Sequence, residues 1–175
     1  MSVNELYTKL SAEHGPYIKA LGWSSIGAQL KRMAILSECM IEHGTVLDVG
    51  CGFGDFSLYS TTDDYTGIDN IQGFINEAER KFPFKAFICD DFMTHNFHKK
   101  FDYVIGNGVL AYQENPFNMI QRMWDLTTNT LAFTWFKATR NDINLILGMC
   151  GCEYYTIRHD YLPDDTAIFM YRTPR

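Results

Sequence analysis

Short runs of consecutive apolar residues alternate with longer stretches of helical spacing along the 175 residues. Ser24 or Ser25 can cap a first helix, in which Ile26, Leu30, Met33, Ala34, Met40 and Ile41 fall mostly at helical spacing and Gly44 supplies the stop. Two short apolar strands follow at 46–49 and 65–68. A helix is predicted over 71–82, with Ile71, Phe74, Ile75, Ala78 and Phe82 on one face and Pro83 ending it. Further strands are expected at 84–89 and 101–105, the second leading into an Asn107-Gly108 turn. Asn115-Pro116 opens a helix to 126, because proline at the first helical position forfeits only an amide that has no partner there. Residues 130–136 read as a strand and 141–149 as a short helix. Strands at 153–158 and 167–172 are close enough to pair as an antiparallel hairpin across Pro163-Asp164-Asp165. Strands separated by helices imply an α/β three-layer sandwich, its sheet seven-stranded, mainly parallel and covered on both faces.

The length and a hydrophobic content of 46% suit one domain over residues 1–175. No apolar run approaches the ~20 residues needed to cross a bilayer. Glu5 and Lys9 stand where a signal peptide would be apolar, so a soluble cytoplasmic protein is expected. The net charge is -6 and the 15 lysines and arginines are scattered, without the cationic stripe that nucleic-acid binding through counterion release requires. Cys39, Cys51, Cys89, Cys150 and Cys152 show neither a CxxC pair nor a zinc-type spacing to histidine, and read as reduced thiols. No metal site is expected: His95 and His98 have ligand-like spacing but no third ligand nearby.

The most informative stretch is VLDVGCGFGDFS, residues 46–57, a strand with an acidic residue inside it followed by Gly50, Gly52 and Gly54 at every second position. Glycines there let the chain leave the strand sharply and bring backbone amides against a ligand. A dinucleotide fingerprint would want its third glycine three residues after the second, where Asp55 stands, so a nicotinamide-dependent oxidoreductase is disfavoured. Asp69 ends the second strand, at the carboxyl edge where an open α/β sheet binds its ligand, and a carboxylate there can accept from both hydroxyls of a ribose. Asp90 and Asp91 follow the third strand, placed to accept from an adenine amino group, with Phe92 to pack on the ring. The bland alternative for Asp69 and Asp91 is a helix cap.

These residues resemble the class I S-adenosylmethionine-dependent methyltransferases, which have a Rossmann-like fold. The resemblance covers roughly 44–136: residues 46–57 are similar to the family's first motif, 65–70 to its second, 87–92 to its third and 101–110 to its fourth. It extends more weakly upstream, through Gly22-Trp23, Gln29 and Arg32. It implies S-adenosyl-L-methionine as cofactor, with Gly50, Gly52 and Gly54 along the methionine and ribose and Asp48 orienting the methionine amino group through water or backbone. Asp69 would hold the ribose hydroxyls, and Asp91, preferred to Asp90, would hold the adenine with Phe92. Cys51, Asn70 and Asn107 complete the expected cofactor-binding set. The sequence after the fourth strand, Asn107-Gly108-Val109-Leu110, departs from the Asn/Asp-Pro-Pro-aromatic signature of methyltransferases acting on adenine or glutamine, which disfavours that class.

The implied function is methyl transfer to a small-molecule acceptor through an oxygen or nitrogen nucleophile; the alternative is a non-catalytic protein that binds the cofactor as a sensor or assembly partner. The sulfonium is already a strong electrophile, so alignment alone can supply roughly 7–11 kcal/mol of the barrier and no catalytic triad is needed. If a base assists, Asn107, Tyr112 and His159 are the candidates by position. The aromatics Tyr7, Tyr17, Trp23, Tyr112, Trp135 and Tyr161 could line an acceptor pocket, and residues 1–23, which contribute no strand, are expected to form a lid over the site, the alternative being an N-terminal extension strapped on the back of the sheet.

Overall fold

In the computed structural model, the described residues are 25–40, 42–60, 62, 64–111, 113 and 115–175, with Glu5, Lys9, Glu13 and Leu21. The expected lid therefore falls almost wholly outside them, as do Tyr7, His14, Tyr17, Trp23 and Tyr112.

Helix α1 (Ile26–Ser37) starts at Ser25, whose hydroxyl accepts the Ala28 N–H at 3.1 Å. It ends sooner than the apolar pattern to Ile41 predicts. The amides of Glu38, Cys39 and Met40 each bond three residues back, so the chain tightens out of the α-helix and both Cys39 and Met40 become buried. Strand β1 (Val46–Val49) and strand β2 (Tyr65–Asp69) lie close to expectation, joined through one 3-10 turn, Asp55–Leu58, the brief helix that the short connection allows. Helix α2 (Gln72–Lys81) packs against β2 and β3. Strand β3 (Ala86–Cys89) begins two residues late, because the Lys85 amide closes a turn onto the Phe82 carbonyl and leaves Phe84 96% exposed.

Strand β4 (Phe101–Gly106) is followed by α3 (Pro116–Asp125), capped by the Asn115 side chain. Strand β5 (Thr127–Phe136) begins three residues earlier than predicted: Thr127 pairs with Phe101, and a register irregularity between Phe101 and Tyr103 absorbs the polar Thr-Thr-Asn segment. Helix α4 (Arg140–Met149) begins with a capping box in which Thr139 and Asp142 satisfy each other's backbone amides. Strands β6 (Tyr154–Arg158) and β7 (Asp165–Tyr171) form the antiparallel hairpin.

The sheet order is β3-β2-β1-β4-β5-β7-β6, parallel except where β7 pairs with β5 and β6. Alternate strand residues feed two cores. Val46, Tyr65, Tyr103, Ile105, Ala132 and Phe169 meet Met33 and Leu36 of α1, whereas Leu47, Ile68, Val104, Leu131 and Ile168 meet α3 and α4. Strand order reverses beside β1, whose neighbours are β2 on one side and β4 on the other, and such a switch point opens a crevice at the carboxyl ends of the strands.

One ion pair ties the first helix to the last strand. Arg32 Nε of α1 donates to Asp165 Oδ2 at the start of β7, and the Asp165 side chain is 1% exposed. Removing one member of a buried pair leaves the other charge uncompensated. Asp165→Ala should lower the unfolding free energy by about 3 kcal/mol in urea titration, while Glu38→Ala, which breaks the exposed contact with Arg158, should leave the midpoint unchanged.

Candidate functional site

The crevice is a cleft of about 670 Å³, walled by residues at the carboxyl ends of five successive sheet neighbours. Asp48 to Gly52 come from β1 and its turn, Asp69 and Asn70 from β2, Asp90 to Met93 from β3, Asn107 to Val109 from β4, and Thr134 and Phe136 from β5. α1 adds Gln29, Arg32 and Met33, and Leu21 closes part of the rim.

The turn after β1 takes backbone angles that only glycine adopts easily: φ is 68° at Gly50, 55° at Gly52 and 73° at Gly54. It is fastened to the neighbouring strand, since the amides of Gly50 and Cys51 both donate to the Ile68 carbonyl, at 2.8 and 3.1 Å. Its third fastening is Asp69, whose Oδ2 accepts the Gly52 N–H at 3.0 Å while Oδ1 accepts the Ile71 N–H at 3.0 Å. The Asp69 carboxylate also borders the cleft. Burial raises the pKa of Asp69, and the backbone amides oppose that rise.

Asp48 is 1% exposed. Its Oδ2 accepts from the Tyr65 hydroxyl at 2.6 Å, and its Oδ1 is buried without a hydrogen-bond partner. Burial pushes its pKa up to about 7; the Tyr65 hydrogen bond acts against this, and the nearby Asp69 and Asp55 add to it. Tyr65 was not foreseen as part of the site. Its sequence signal is positional: in the β1–β2 register Val46 faces Tyr65 and Asp48 faces Gly67, so the tyrosine shares the aspartate's face and a residue without a side chain stands between.

At the β3 end, Asp91 Oδ1 accepts the Met93 N–H at 2.8 Å, and Asp90 Oδ2 meets His95 Nδ1 at 2.8 Å, which holds the Asp90 pKa low. Both carboxylates are exposed at the cleft wall. Phe92 lines the cleft, yet its ring is 6% exposed and lies against the Arg122 guanidinium, 5.4 Å from the ring centroid, so an edge rather than an open face is offered. Asn107 also lines the cleft with its Oδ1 buried and unpartnered, and the following Gly108 N–H donates to Thr134 Oγ1 at 2.9 Å.

His159 is not brought to this cleft. It contacts Thr166 Oγ1 at 3.2 Å and lines a separate hollow with Lys137, Leu162 and Asp164. Tyr161 is not in the cleft wall either, and its buried phenol has its pKa raised by burial and by the adjoining Asp165. Thr134 and Phe136, at the carboxyl end of β5 beside β4, and Asp165, brought in by the pairing of β7 with β5, are wall residues that sequence reasoning missed. Among the described residues, no group of three or more His, Cys, Asp or Glu is arranged to hold a metal ion, and the five cysteines are free.

The site accords with the cofactor inferred from the motifs. Positive-φ glycines give close backbone approach, and buried oxygens without a hydrogen-bond partner, on Asp48, Asn107 and Asp165, belong to residues of the cleft wall. Residues 46–129 match the sequence family described as a methyltransferase domain. No curated protein matches the chain. Among solved structures, magnesium protoporphyrin IX methyltransferase (ChlM) from Synechocystis PCC 6803 with bound S-adenosylmethionine superposes with TM-score 0.74 at 18% identity, covering 98% of this chain and 95% of that one. The N-methyltransferase NodS from Bradyrhizobium japonicum WM9, in complex with S-adenosyl-L-homocysteine, gives 0.74 at 14% identity with 100% of each chain covered. The carbon methyltransferase CurJ gives 0.73 at 14% identity, covering 93% of this chain and 60% of that one. Taken with the glycine turn and the acidic strand ends, the match identifies a methyltransferase domain over residues 46–129, set in a Rossmann-like fold.

Proposed function

We propose that the protein transfers a methyl group from S-adenosylmethionine to a small molecule presenting an oxygen or nitrogen nucleophile. The observation that carries this reading is the pair of carboxylates at the ends of β1 and β2, held on either side of a glycine turn at the sheet's switch point. When bound, the cofactor supplies a methyl group already activated by its sulfonium. The chain's contribution is to bind, orient and exclude water.

Backbone at Gly50 and Gly52 would lie against the methionine and ribose portions, Asp48 Oδ1 would accept from the ammonium, and Asp69 would accept from the ribose hydroxyls. Asn70 and Cys51 flank them, and the β3 end, Asp91 with Phe92, borders the adenine. The acceptor enters beside Asn107, where Gln29, Arg32, Thr134 and Phe136 form the other wall. Asn107 Oδ1, buried and unpartnered, suits a nucleophile that carries a proton and needs to be aimed. Holding two reactants in line contributes roughly 7–11 kcal/mol of the barrier. The small-molecule acceptor class is favoured by the concave cleft and by cations that are scattered along the sequence. None of the described helices is long and apolar enough to cross a membrane.

Calorimetric titration with S-adenosylhomocysteine is expected to give a micromolar dissociation constant. Asp69→Ala should weaken binding by about 1–3 kcal/mol, because ribose hydroxyls lose a charged acceptor. Unchanged affinity would reduce Asp69 to a fastening of the turn and of α2. Methyl transfer from labelled cofactor into a metabolite extract tests the activity, and turnover should persist in excess chelator; loss of turnover restored by magnesium or zinc would contradict the proposed chemistry.

A further inference from the structure

Asp48 is a carboxylate that the fold buries and then supports on one side only. Of its two oxygens, Oδ2 takes the Tyr65 hydroxyl at 2.6 Å and Oδ1 has no partner and no solvent, although the residue borders the cleft. We propose that Tyr65 is a positioning residue for the cofactor: it commits Oδ2 and so presents Oδ1 as a single acceptor for the ligand's ammonium group. This rests on the reading of the cleft as an S-adenosylmethionine site.

The local packing leaves the tyrosine little freedom. Its ring is buried, meets Phe87 edge-on with centroids 6.0 Å apart, and shares the sheet face on which Asp48 projects. The position opposite Asp48 admits no side chain: a Cβ on Gly67 would lie 2.8 Å from Cys51 Sγ and 2.9 Å from a Phe87 ring carbon. The phenol stays protonated, because burial and the adjoining Asp48 charge raise its pKa well above the ordinary value. It therefore remains a donor throughout the working range of the carboxylate.

Electrostatics give this hydrogen bond a functional role. Among the described residues, the ionisable groups facing Asp48 are Tyr65 itself, Asp69 from the end of β2, Asp55 from the 3-10 turn and the buried thiol of Cys51. None of them is cationic. α1 presents Gln29 and Arg32 to the cleft, and Arg32 is tied to Asp165; Lys81 is drawn to Asp55. A carboxylate in this setting ionises only near neutrality, so below about 7 it is protonated and offers the ammonium no charge. The Tyr65 hydrogen bond favours the ionised form. Cofactor binding and Asp48 ionisation thus support each other, and affinity should rise as pH rises through about 7.

The test compares S-adenosylhomocysteine with 5′-methylthioadenosine, which lacks the amino acid, on the native protein and on Tyr65→Phe from about pH 6 to about pH 8. Native affinity for S-adenosylhomocysteine should climb across this range, and affinity for methylthioadenosine should stay nearly flat. Tyr65→Phe keeps the ring but removes the donor. It should lose roughly tenfold to a hundredfold in S-adenosylhomocysteine affinity near neutrality, recover part of it at the alkaline end, and leave methylthioadenosine binding unchanged. Carbon-13 NMR of the aspartate carboxyls in the ligand-free protein supplies a readout independent of binding: the Asp48 titration should move upward in the variant. An unaltered profile and titration in Tyr65→Phe overturn the inference, as does equal pH dependence for the two ligands on the native protein, a comparison that stands even if the variant fails to fold. A native protein that binds neither ligand overturns the functional reading instead.

Discussion

The chain must leave β1 at once. Four residues long and buried on both faces, this strand ends in the middle of the sheet, where continuing straight would carry it out of the fold and turning requires left-handed backbone. The Gly50–Gly54 turn meets that requirement, and its position is fixed from the side rather than by the turn itself. β2 supplies the Ile68 carbonyl for two amides and the Asp69 carboxylate for a third. The arrangement of the cleft follows, because every wall group is set by its place relative to that turn at the point where strand order reverses.

Fixing the turn this way places three acidic residues, Asp48, Asp55 and Asp69, around one loop. Their solutions differ. Asp55 is paired with Lys81, Asp69 is satisfied by backbone amides, and Asp48 has only a neutral phenol on one side. An unsatisfied buried acceptor is unfavourable in the empty protein, and a ligand donor removes that penalty. The free protein is thereby less stable than its burial alone would make it, and the difference is available to a cationic ligand.

Sequence legibility followed sequence separation. The glycine turn, Asp48 and Asp69 are local features whose spacing is itself the signal, and the alternation of strands and helices gave the layered sheet. Boundaries slipped where tertiary pairing overrode local polarity, as when Thr127 joined β5 against Phe101, or where a cap was overlooked, as with Thr139 and Asp142 at the start of α4. The Arg32–Asp165 tie links residues 133 apart, and no local pattern announces it. Tyr65 is intermediate: it lies 17 residues from Asp48, but only the in-register pairing of β1 with β2 turns a strand tyrosine into a carboxylate's partner. His159 illustrates the converse, a residue chosen for its chemistry that the hairpin carries to another surface.

The order β5-β7-β6 has a consequence for how the protein is made. A ribosome delivers β6 before β7, yet β6 touches the sheet only through β7. During synthesis, therefore, β6 emerges with no strand to join, and β5 ends the growing sheet with an open row of amides and carbonyls. The strands that shape the glycine turn are all available by then, so that half of the cleft can assemble early. β7 then completes the opposite wall: its arrival closes the open edge of β5, seats β6 and brings Asp165 to Arg32 of α1.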